Sequence, residues 1–134
     1  MSKSKSLSTK WHPLGVFPIK YGLVVGQTAL ETFYKKKKAI CPPTEGNSGL
    51  TISHENGHIL VYVDDAEELA PTMANTLIHE SVHVFQEGMN FIGERQVGNE
   101  CAAYSIAEIA ENLMADYLKL KEHNALHERR QEGL

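Results

Sequence analysis

The chain has 134 residues, a formal net charge of −4 and 42% hydrophobic residues, which suits one domain around one modest core. The acidic balance argues against a nucleic-acid binder held by phosphate contacts. No apolar run nears the roughly 18–20 residues needed to cross a bilayer, so no membrane role is expected; the longest, residues 59–63, is strand-sized. Cys41 and Cys101 form no CxxC pattern, which implies no disulfide framework and fits a reducing, cytoplasmic compartment.

In chain order, residues 1–10 are rich in Ser and Lys with no apolar h-region, and read as a flexible N-terminal tail. A single domain is expected over 11–123. "WHPLGVFPIKYG" (11–22) mixes aromatics with Pro13 and Pro18 and reads as an irregular segment packing its rings on the domain. Thr28 and Glu31 have capping-box spacing and open a short helix that ends in Lys35 to Lys38, where cations oppose the helix dipole. "CPPTEGNSG" is a loop. "LTIS" and "ILVYV" flank Asn56-Gly57, a two-residue hairpin signal for a type I′ turn. Pro71 suits the first position of a helix that carries Met73, Leu77, Ile78, Val82 and Phe85 at helical spacing to about Gly88. A second long helix begins between Gln96 and Glu100 and ends near His123, leaving 124–134 as a polar tail. The order helix, hairpin, helix, helix is that of an α+β fold.

His79, Glu80 and His83 spell H-E-x-x-H inside the first long helix. A spacing of four puts both imidazoles on one face, one turn apart, within reach of one metal ion. Zinc accepts imidazole nitrogen and carboxylate oxygen, and a catalytic site keeps a position for water. Glu80 lies beside that position and can take the water's proton, so each residue type has a mechanical task. Two histidines and a glutamate buried without partners would cost several kcal/mol (on the order of 2–7 for each polar group), so an apolar helix carries them for a reason. One Zn²⁺ per chain is therefore expected. Candidate third ligands downstream are Glu87, Glu94, Glu100, Glu108 and Glu111. Glu87 requires the helix to bend, and Glu94 in the connection is an alternative. Glu100 is favoured, because it opens the next helix and Ala102, Ala103 and Ala107 would let that helix approach closely.

"HESVHVFQ", "IGE" and "NECAAYSIAEI" together resemble the gluzincin branch of zinc metallopeptidases, and more closely small metallopeptidase-like proteins encoded by phages and prophages. The resemblance covers about residues 77–109. It implies a minimal zincin-like fold, with a small antiparallel sheet packed on the active-site helix and a following helix carrying the glutamate ligand Glu100. Larger gluzincins often have an aspartate four residues after that ligand, whereas this chain has Tyr104. The Tyr104 hydroxyl is within reach of a histidine ligand, the substrate oxyanion or solvent, which makes Tyr104 a candidate catalytic residue beside Glu80.

The resemblance also implies a zinc peptidase acting on a peptide or protein substrate aligned on an edge strand within residues 59–63, in the host cytoplasm for a phage-encoded chain. The competing function is a zinc-stabilised, inactive module that holds a protein partner. Oligomeric state is open. His54 and His58 at the hairpin turn, and His12, read as exposed histidines in preference to a second metal site. Gln86 shares the face of His79, as a cleft residue or a helix-end cap, and Cys101 reads as buried packing.

Overall fold

The computed structural model describes residues 8–65 and 70–132; most of the expected N-terminal tail, residues 1–7, lies outside them. The elements are β1 (His12–Pro13), β2 (Lys20–Val25), α1 (Gln27–Lys36), β3 (Gly49–Ser53), β4 (His58–Val63), α2 (Pro71–Ile92) and α3 (Asn99–Glu132). The fold is α+β. Its four strands run in the order β1-β2-β4-β3, with β2 parallel to β4 and the outer pairs antiparallel, so the sheet is mixed and not the antiparallel sheet expected.

The mixed sheet follows from β2, which lies partly inside the segment read as irregular. All but the first of its residues are buried. A central strand covered on both faces reads as a continuous apolar run, not as alternation, and Gly22 interrupts even that. Val24 of β2 and Leu60 and Tyr62 of β4 pack with Leu30 and Tyr34 of α1 on one face. Tyr21, Leu23, Val25, Ile59, Val61 and Val63 face the other way, onto α2 and α3. Of these two helices, α2 lies over β3 and β4 while α3 lies over β2.

The β3–β4 hairpin forms as expected, but with a different turn. Gly57 has φ of 83° while Asn56 is not among the positive-φ residues. Gly57 N–H donates to His54 O at 3.2 Å and His54 N–H to His58 O at 2.8 Å. This is a three-residue loop with glycine in the left-handed position, the next commonest hairpin after type I′.

Three helix boundaries also differ. α1 starts after Gly26 with no side-chain cap, so the Thr28 box does not form; Gln27 Nε2 instead donates to Glu31 Oε2 at 3.0 Å. α2 begins at Pro71 as expected but passes through Gly88 to Ile92. Gly88 is buried because a Cβ there would sit 2.6 Å from Leu14 Cδ2, so it serves close packing. Gly93, with φ of 78°, ends the helix, its N–H bonding Asn90 O and that of Glu94 bonding Met89 O. α3 runs past His123 to Glu132, so the polar segment after 123 is helical.

His12, His54 and His58 are not the exposed histidines expected; each is half-buried. His12 Nε2 lies 2.6 Å from Asp116 Oδ2, with Asp116 buried, and its ring stacks on Tyr21. This pair ties β1 to α3 across β2. His54 Nε2 lies 3.0 Å from the Tyr34 hydroxyl, and the Nδ1 atoms of His54 and His58 are buried without a partner. Cys101 is exposed, contrary to its expected burial, and both cysteines are free thiols.

Two predictions follow from these contacts. His12→Ala leaves the Asp116 carboxylate buried without its partner and is expected to cost about 2 kcal/mol, measured by urea unfolding. Burial pushes the His54 imidazole below its ordinary 6.5. The unfolded chain therefore takes up the proton first as pH falls, and the stability present above 6.5 is lost below it. Unfolding free energy should fall from about pH 7 to about pH 5, and fall less in His54→Gln; an equal fall in both proteins would contradict this.

Candidate functional site

His79 and His83, expected inside the apolar helix pattern, stand instead on the exposed side of α2, one turn apart, so the cost of burial falls on Glu80 alone. Their Nε2 atoms are 3.1 Å apart and their rings meet edge to face at 74°. Two nitrogens bound to one tetrahedral zinc at ~2.0–2.1 Å would be separated by about 3.3 Å. The contact is a hydrogen bond between the two rings, and it sets their nitrogens at nearly the separation that a shared metal would require.

Gln86, one turn beyond His83, fixes which nitrogen faces His79. His83 Nδ1 lies 3.0 Å from Gln86 Oε1. An amide oxygen can only accept, so Nδ1 carries the proton and Nε2 presents its lone pair toward His79. An outer hydrogen bond of this kind orients metal-binding histidines and makes them more basic. The sequence signal was the i, i+3 spacing of His83 and Gln86, read there only as a choice between cleft and cap.

Glu80, about 100° around the helix from His79, turns in toward the sheet at the groove's floor and is only 5% exposed. Thr51 Oγ1, from β3, donates to Glu80 Oε1 at 2.7 Å. The second oxygen, Oε2, occupies space left by Gly49, where a Cβ would sit 2.9 Å away. Thr51 and Gly49 thus hold the carboxylate between helix and sheet, and sequence reasoning placed neither in the site. Their signal was the two-residue strand period, which turns both toward α2.

His79, Glu80, His83 and Glu87 from α2 line one groove of about 320 Å³ with Asn47, Gly49, Leu50 and Thr51. β3 forms its far wall and is the free edge of the sheet. β4, the strand expected to be the edge, is paired on both sides by β2 and β3, so the edge assignment moves one strand outward. The backbones of Ser48 and His54 bond to Asp64 and His58. By antiparallel alternation the N–H and C=O groups of Gly49, Thr51 and Ser53 point outward from the sheet.

Glu100 is exposed at the start of α3 and is not part of the groove. The reason is the side of α2 on which α3 packs. Ile78 shares a groove with Ala103, Ile106 and Ala107 of α3, and His79, the next residue, points about 100° away around the helix. Glu94 lines a separate recess at the α2–α3 corner, with Gln86 and Arg95. Tyr104 is 73% exposed on α3. Glu87 lines the groove one turn past His83, about 6 Å further along the axis. Among the described residues, no group of three or more His, Cys, Asp or Glu side chains is placed to hold a metal ion. The structure brings together His79, His83 and Glu80, and leaves Glu100 and Tyr104 apart from them.

No protein-family model, curated protein or solved structure matches the chain. Among the described residues, no helix is long and apolar enough to cross a membrane.

Gln86→Ala frees the His83 ring to rotate and should weaken zinc binding about 10–100-fold, measured by competition with a chromophoric chelator. Glu100→Gln, remote from the groove, should leave the same affinity unchanged; a large loss there would restore Glu100 as a ligand.

Proposed function

We propose that this protein is a metal-dependent hydrolase of peptide bonds, with one zinc ion held by His79 and His83 and with Glu80 as general base. The observation that carries the reading is the 3.1 Å approach of the two Nε2 atoms beside a buried carboxylate. The residues fit the metal in part: two imidazole nitrogens lie close together, one ring held by Gln86, and among the described residues no third ligand is grouped with them. Zinc bound there supplies an acidified water, its pKa lowered to about 7, and polarises the scissile carbonyl.

Glu80 takes the proton of the attacking water and returns it to the leaving amine. Thr51 donates to Oε1 of Glu80 and Oε2 packs against Gly49, which together keep the carboxylate oriented at the groove. The outward backbone groups of Gly49, Thr51 and Ser53 suit an extended peptide added alongside β3, so that its carbonyls pass over the histidine pair. The reading keeps the zincin-like arrangement suggested by the H-E-x-x-H motif as part of the proposal, with β3 as the substrate strand.

A second reading is a zinc-stabilised module that binds a partner without cleaving it. It is favoured by the exposed positions of Glu100 and Tyr104, which leave the groove with two imidazoles. Glu80→Gln separates the two readings. The hydrolase reading expects zinc to be retained and cleavage of a mixed peptide library to fall about 100-fold or more. Retained zinc with no cleavage by the wild-type chain would instead support the binding module.

A further inference from the structure

α3 carries a second surface, on the flank of α2 next to the one that bears the histidines. Ile78, Ala103, Ile106, Ala107, Ala110 and Met114 line a largely apolar groove of about 600 Å³, with Glu111 as its charged member. Tyr104 beside it is 73% exposed, and Leu118 beyond it is 51% exposed. Tyr104, Ala107, Glu111, Met114, Leu118 and Ala125 recur at alternating spacings of three and four, the repeat of a helix that packs along another helix. The repeat is interrupted at Lys121, which bonds Asp65.

The length of α3 points the same way. It has 34 residues against 22 in α2, about 50 Å against about 33 Å. After Tyr117 no residue of α3 whose side chain is described is buried. A polar helical extension of this size is marginal by itself, because helices in proteins draw most of their stability from packing.

We propose that this face binds a second copy of the chain, with the two α3 helices antiparallel. The occupant follows from charge and register. Glu100 lies near one end of the stripe and Arg129 near the other, both exposed. A two-fold axis crossing α3 between Met114 and Ala115 brings Glu100 opposite Arg129 of the second copy. The same axis brings Tyr104 opposite Ala125, where a small residue leaves room for the ring, and centres the contact on Met114 and Leu118. A parallel pair would set Glu100 against its own copy and Arg129 against its own. Both arrangements close about a two-fold axis, but only the antiparallel one sets unlike end charges against each other. The histidine groove, lined by α2 and residues 47–51, includes no residue of α3 and remains open in the pair. Glu100 and Tyr104, expected at the metal, thereby belong to the interface.

Sedimentation velocity of the full chain over a concentration series tests this. The wild type should be a reversible dimer, and Leu118→Glu should raise its dissociation constant about tenfold or more. Glu100→Arg and Arg129→Glu should each weaken the dimer about two- to fivefold, and the double variant should recover most of the loss. Far-UV circular dichroism matching the wild type checks that each variant is folded, and the charge cycle tests the register even where Leu118→Glu loses helix. A wild type that stays monomeric, a dimer unmoved by Leu118→Glu, or a double variant without recovery would each overturn the proposal.

Discussion

The site depends on how α2 is seated against the edge strand β3. Glu80 is drawn under the sheet by the Thr51 hydroxyl, and Gly49 leaves the space its carboxylate fills. A buried carboxylate is costly unless it is hydrogen-bonded, so this contact fixes the rotation of α2 about its own axis. Once Glu80 faces inward, helical geometry turns His79 and His83 outward, into the groove beside β3. The same rotation turns Ile78 toward α3. One helix face thus sets the chemistry, and its neighbour sets the packing.

The local elements were largely legible in the sequence. Asn56-Gly57 between β-rich flanks marked the hairpin, Pro71 marked the start of α2, and the H-E-x-x-H spacing marked a pair of facing imidazoles. What could not be read was tertiary. β2 went unrecognised because a strand buried on both faces has no alternation to reveal it, and its insertion beside β4 is what made β3 the edge. The helix ends were missed because a glycine can serve either packing, as Gly88 does, or termination, as Gly93 does.

The distance of Glu100 from the groove has the same origin. Seventeen residues between His83 and Glu100 permit a helical return on either flank of α2, and sequence spacing does not choose between them. The sheet chooses: Tyr21 and Leu23 of β2 offer α3 an apolar seat that includes Ile109, Leu113 and Tyr117, and the His12–Asp116 pair secures it. α3 therefore lies on the Ile78 flank, and its outer face, with Tyr104 and Leu118, is left for another partner.

The central claim is that His79 and His83 share one metal ion in the groove beside β3. X-ray absorption at the zinc edge of the purified chain measures this directly. The account predicts one zinc per chain with two imidazole nitrogens at about 2.0–2.1 Å and oxygen in the remaining positions. A chain that takes up no zinc, or whose zinc signal keeps both imidazoles after His79→Ala and His83→Ala are made together, would contradict it.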